Sequence, residues 1–244
     1  LTRLTQFGGR GRDQSFPETV VDTYIHPANQ GSDKDVNEQG MADFRLRLPS
    51  VPYLIPFPAG LQLYGEIGTE DKWSQLPIPS RAAFLGGIYI PQLFQGDTVD
   101  LRIEYADTDY GRRRHPELGG VWYNNGTYTS GMRYRGFPLG HHMGTDGTDF
   151  FVRSTRYLTD TLQLGANFNL QERERGQPVH EKKREAAVDL TWWYSRDVQF
   201  MAGYTYQRLT NPGQISAITP FLETFAAGVT AKNHLLWTLV AIQF

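Results

Sequence analysis

Apolar and polar residues alternate along much of this chain. From Val198 to Arg208 the even positions are Val198, Phe200, Ala202, Tyr204 and Tyr206, and the odd ones are Gln199, Met201, Gly203, Thr205 and Gln207. Successive side chains of a strand point to opposite faces, so this stretch predicts a strand with one apolar and one mostly polar face. The same pattern recurs upstream. Ala186, Val188, Leu190, Trp192 and Tyr194 oppose Glu185, Asp189 and Thr191, and Leu162, Leu164, Ala166, Phe168 and Leu170 oppose Gln163, Gly165, Asn167, Asn169 and Gln171. Val99, Leu101, Ile103 and Tyr105 oppose Asp100, Arg102 and Glu104, while Phe44, Leu46 and Leu48 oppose Asp43, Arg45 and Arg47.

The connections alternate between short and long. Tight turns are expected at Leu158–Thr161, at Trp193–Asp197 and at Gln95–Asp97, whereas 8–41, 108–147 and 209–231 are long. A compact soluble sheet rarely keeps such loops. An outer-membrane barrel has short periplasmic turns and long outer loops, with its apolar face turned to lipid and its polar face to the lumen. The chain ends on Phe244, with Ile242, Val240 and Leu236 at alternate positions behind it and Thr238 interrupting them. A terminal aromatic on an alternating strand resembles the signal read by the barrel-assembly machinery. These features predict an all-β, transmembrane, antiparallel up-and-down β-barrel of the bacterial outer membrane across residues 1–244.

With Phe244 on the periplasmic side, strands are expected at 1–7, 42–48, 61–69, 81–91, 98–107, 148–157, 162–173, 184–194, 198–208 and 232–244. Loops 8–41, 70–80, 108–147, 174–183 and 209–231 are then external, and the Pro-rich link 49–60 is periplasmic. That makes about ten strands, each near the ~9–11 residues of a tilted barrel strand.

Composition narrows the function classes. The 24 basic and 26 acidic residues nearly cancel, which argues against a nucleic-acid binder. There is no cysteine, so disulfides and thiolate metal sites are excluded. No run approaches the ~20 apolar residues of a spanning helix.

Several segments taken in order resemble a known family. Leu63–Tyr64–Gly65–Glu66 with Glu70–Asp71, Ala83–Phe84–Leu85–Gly86–Gly87 and Arg102–Ile103–Glu104–Tyr105–Ala106 form one series. Trp122–Tyr123–Asn124–Asn125–Gly126–Thr127–Tyr128 and Gly136–Phe137–Pro138–Leu139–Gly140–His141, continuing to Gly144, form another. Together they resemble the Wzi family of capsule-assembly proteins from about residue 40 onward. The resemblance implies a barrel of about eighteen strands with a small periplasmic helical element near its start. This chain is shorter than that, so it is expected to be the C-terminal part of a larger barrel. The implied role is lectin-like and non-enzymatic: holding capsular polysaccharide at the cell surface, without a cofactor.

Candidate chemistry concentrates in loop 108–147. It carries Tyr110, Arg112, Arg113, Arg114, Trp122, Tyr123, Arg133, Tyr134, Arg135, His141 and His142. Flat rings suit the CH faces of pyranoses, and Arg forks pair with the carboxylates of acidic polysaccharide. These are the candidate polysaccharide-binding residues; packing of the loop on itself or into the lumen is the competing reading. Arg112–Arg113–Arg114 could equally meet phosphates of neighbouring lipopolysaccharide. His141 and His142 with Asp146 and Asp149 raise metal or acid–base chemistry. In an extended segment, however, adjacent imidazoles point to opposite faces, so no metal site is expected, and no catalytic constellation stands out. The lumen positions Arg45, Arg47, Glu66, Asp100, Arg102, Glu104, Glu185 and Asp189 mix signs, which predicts cross-strand ion pairs more than an ion filter. The alternative function is a porin or passive channel subunit of an outer-membrane complex.

Overall fold

A computed structural model describes residues 2–6, 17, 37–70, 81–114, 116, 120, 122–124, 131–134, 137–214 and 224–242. Ten strands form one antiparallel sheet in the order β1 (Thr2–Gln6), β2 (Asn37–Leu48), β3 (Leu61–Glu70), β4 (Ala82–Ile90), β5 (Val99–Asp107), β8 (Thr148–Thr159), β9 (Leu162–Arg173), β10 (Glu181–Trp193), β11 (Val198–Thr210) and β14 (Thr230–Ile242). Each long strand pairs with its neighbour in sequence, so the sheet is a meander with no crossover. Between β5 and β8 lie one short helix, α1 (Tyr110–Arg114), and a two-stranded ribbon of β6 (Arg133–Tyr134) and β7 (Phe137–Pro138). A second ribbon, β12 (Gly213–Gln214) with β13 (Thr224–Phe225), sits between β11 and β14. Among the described residues, β1 and β14 do not pair with each other, and no helix is long and apolar enough to cross a membrane.

The strand expectations hold closely. Strand 162–173 is found at those bounds, and the others shift by a few residues. The largest departure is β2, which begins at Asn37 instead of 42. Its extra residues carry no apolar alternation, but Gln39 pairs opposite Glu70 and extends the ladder. The final pair 243–244, with Phe244, and most of loops 8–41 and 70–80 lie outside the described residues.

Register assigns the faces. Phe44, Leu46, Ile88, Phe150, Leu164, Phe168, Val188, Leu190 and Phe200 are exposed large apolar side chains that share one face. An exposed apolar band of this extent is what lipid-facing strands present. Near the end with the tight turns, Trp192, Tyr194 and Phe200 form a ring cluster on that face, with Trp192 and Phe200 stacked at 5.5 Å. Rings gather where a barrel wall meets the head groups.

The opposite, inner face holds the mixed charges. Arg102 bridges Glu104 at 2.6 Å, and the Tyr64 hydroxyl donates to Glu104 at 2.7 Å. Arg153 pairs through both terminal nitrogens with Asp189 at 2.8 and 2.9 Å. Arg173 meets Glu181 at 3.1 Å across β9 and β10. The expected knitting of the wall by ion pairs is therefore present, though Arg153 and Arg173 were not among the expected members. The last strand differs: Leu235, Trp237 and Leu239 make its inner face apolar as well.

Candidate functional site

Loop 108–147 does not stand free of the sheet. Its described residues from Trp122 on fold back over the inner face of β2–β5 at the long-loop end. Trp122 and Tyr123 are buried and form a small core with Ala83 and Met132. The inner-face residue Gly68 makes room for the indole: a Cβ there would come within 2.9 Å of the Trp122 ring. The Tyr123 amide donates to the Glu70 carboxylate at 3.1 Å, and Gln39 donates to the same oxygen at 2.9 Å. The Tyr123 hydroxyl accepts from the His141 amide at 3.0 Å. Thr145 donates to the Trp122 carbonyl at 2.6 Å, and Thr108 donates to the Gly144 carbonyl at 2.8 Å. Tyr123 takes a left-handed backbone, φ 61°, which costs a bulky residue roughly 1–2 kcal/mol and is sustained by these anchors. The segment is thus a plug, and the packing reading explains Trp122 and Tyr123.

Between plug and wall lies a cavity of about 320 Å³, lined among others by Gln39, Glu66, Trp122, Tyr123, His141 and Met143. Its lining is mostly apolar, with a few polar groups converging, the usual character of a small-ligand cleft.

The basic run separates into two kinds of residue. Arg112 forms a fork on Asp109, at 2.5 and 2.9 Å, and lies 3.9 Å from Asp146. Arg113 pairs with Asp107, and Arg175 reaches Asp109 at 3.2 Å. Asp109 is fully buried, so these guanidiniums neutralise a charge that burial would otherwise penalise. The fork on Asp109 raises the Arg112 pKa, whereas burial raises that of Asp146 to about 6. The two shifts are compatible, since Arg112 is held chiefly by Asp109 and Asp146 gains too little from it to offset its own desolvation. Arg113 and Arg114 are both exposed, and Arg114 lies over the Tyr110 ring at 5.5 Å and donates to its hydroxyl at 2.8 Å. Tyr110 meets Phe84 edge-on at 4.8 Å. Phe84 shares the parity of Ile88, so α1 sits at the outward rim of the wall.

His141 and His142 sit in a turn, not in an extended segment, and their rings stack at 4.5 Å. This overturns the expectation that they diverge. Both face Asp149 on β8, at 3.9 Å from His141 and 2.8 Å from His142. Burial, followed by the neighbouring His142 charge, lowers the His141 pKa. Asn169 of β9 donates to the other oxygen of Asp149. Of the remaining candidates, the backbone of Arg133 and Tyr134 forms β6 but their side chains lie outside the described residues, as does all of Arg135. Asp109, Asn169 and Arg175 were missed. The Asp109–Arg112 spacing of three across a helix start is a signal that could have found the first; the other two come from strands and loops distant in sequence.

An antiparallel meander with an apolar outward face, a charged inner face and an outer loop packed inside is the wall of a transmembrane β-barrel. Residues 1–217 match the family described as "Capsule assembly protein Wzi", and the chain belongs to that family. A Klebsiella pneumoniae relative, an uncharacterized 55.8 kDa protein in the cps region, is 31% identical over 164 residues, covering 66% of this chain and 30% of the relative. A solved structure aligns with a TM-score of 0.60 at 20% identity, covering 86% of this chain and 44% of that one. It is Wzi, described as an outer-membrane protein involved in group 1 capsule assembly in Escherichia coli and a carbohydrate-binding β-barrel. The chain therefore spans less than half the length of the proteins it matches.

Proposed function

We propose that this chain forms part of the wall and plug of a bacterial outer-membrane barrel that holds capsular or related surface polysaccharide without altering it chemically. Family membership over residues 1–217 carries the reading. The exposed apolar face supports placement in lipid, and barrel-assembly machinery would insert it. Since β1 and β14 are unpaired with each other among the described residues, further strands would complete the barrel.

Of the candidate contacts, Tyr110 and Arg114 are the pair best placed to meet a ligand. A planar cation stacked on a ring offers a flat face to a sugar and a fork to an acid group. Their position at the outward rim suits lipopolysaccharide phosphates as well as an acidic polysaccharide. Arg112 and Arg113 are committed to buried carboxylates and serve the plug. Deletion of the gene should release surface polysaccharide into the medium, and Arg114→Ala should weaken binding of acidic polysaccharide about three- to tenfold without lowering Tm. Wild-type retention in the deletion strain would overturn the reading. Loss of lipopolysaccharide binding alone in Arg114→Ala would move that residue from the polysaccharide to the lipid. The polar inner face also favours a passive channel, against which the plug weighs.

A further inference from the structure

We propose that His141, His142 and Asp149 form a binding site for a divalent transition ion of the Zn(II) type, which ties the plug to the barrel wall. One ligand atom from each of the three lies within 4.8 Å of the others. Tetrahedral zinc holds nitrogen and oxygen ligands at ~2.0–2.2 Å, which sets them roughly 3.3 Å apart. The two imidazole Nε2 atoms stand 3.9 and 2.8 Å from Asp149 Oδ2, on either side of that spacing. Small rotations of two stacked rings would seat the ion, and a fourth position would stay open.

The surroundings have the character of a metal site's supporting shell. Asp149 is buried, at 4% exposure, and Asn169 donates from β9 to its Oδ1. That bond leaves Oδ2 for the imidazoles, the arrangement by which outer groups orient a ligating carboxylate. Asn169 is itself buried, and its Oδ1 has no hydrogen-bond partner among the described residues. The Met143 amide donates to His141 Nδ1 at 3.4 Å, a long bond that coordination through Nε2 would exchange for a proton on Nδ1.

Donor chemistry selects the ion. Two imidazoles and one carboxylate suit zinc and its neighbours, whereas calcium and magnesium take oxygen donors in larger number. Without an ion, Asp149 can hold His142 by a hydrogen bond, but His141 stays beyond hydrogen-bond reach. An ion would engage all three. The two His residues belong to the plug and Asp149 to β8, so coordination would fasten the one to the other.

The test titrates the intact, tag-free protein in detergent with zinc chloride. One zinc per molecule should bind, and Tm should rise by a few degrees because the ion binds only the folded state. His142→Ala, whose side chain is mostly exposed and whose loss spares the fold, should weaken binding at least about tenfold, and Asn169→Ala should do so through Asp149. Calcium chloride should leave Tm unchanged. The proposal is overturned if the His141→Ala, His142→Ala double variant binds zinc as the parent does, or if zinc leaves the parent's Tm unmoved. It is also overturned if calcium acts as strongly as zinc.

Discussion

Asp146 is buried in the plug with its backbone in the left-handed region, and its carboxylate accepts from the Gly120 amide at 2.8 Å. Desolvation lifts its pKa to about 6 from an ordinary value of 3.8. Between those values the folded protein keeps a proton that the unfolded chain has released. Its contribution to stability is then full below pH ~4, falls as pH rises through ~6, and is lost above it. Thermal unfolding in detergent should show that slope, and Asp146→Asn should flatten it while keeping an acceptor for Gly120. A profile that rises across the same window would contradict the assignment. Arg112 offers a second measurement at this scale. Its removal leaves the fully buried Asp109 with Arg175 and the more distant Arg113 as cations, so Arg112→Ala should cost about 2 kcal/mol. The side chain is one-quarter exposed, which keeps the figure below that of a fully buried pair.

At the scale of elements, the seat of the plug rests on glycine. Gly68 lies on the inner face of β3, and the Trp122 ring occupies the space that any side chain there would need. Gly68→Leu should therefore unseat the plug while leaving the strand ladder paired, because a leucine is compatible with an extended strand. Limited proteolysis should cut within 108–147 several-fold faster, with heat-modifiable migration of the barrel preserved. Equal cutting rates would show that the plug is held without Trp122. The same contrast explains what could be read from the sequence. Strand β9 was legible to its bounds because Leu162 to Leu170 repeat every second residue, and a strand's period is local. The onset of β2 at Asn37 was not, because Asn37–Gly40 lie above the apolar band and are held by the ladders with β1 and β3. The aromatics of 108–147 were legible as unusual but not as a plug, since Trp122 finds Gly68 more than fifty positions away. The His141–His142 pair was misjudged for a single reason: a turn places adjacent side chains together where a strand would separate them.

For the whole molecule, the two faces of the sheet pose different demands. The outward face suits lipid, but the two edges do not, because unpaired amides and carbonyls are costly in hydrocarbon. If further strands complete the barrel, as proposed, residues 1–244 expressed alone should aggregate or fail to show heat-modifiable migration. The inner face is charged and would hold water if nothing covered it. Whether it conducts depends on the plug, which covers β2–β5 at the long-loop end through Glu70, Gly68 and the Asp149 cluster. These anchors come from two different strands, β3 and β8, so no single side-chain motion releases the plug. A barrel built to hold polysaccharide has no need of an open pore, while a passive channel requires one. The completed barrel in planar bilayers should therefore remain closed or nearly so, and Gly68→Leu or excision of residues 120–140 should produce steady conductance with little ion preference, given the mixed signs of Arg102, Glu104, Arg153 and Asp189. Steady wild-type conductance would instead favour the channel reading and would make the plug a constriction within an open pore.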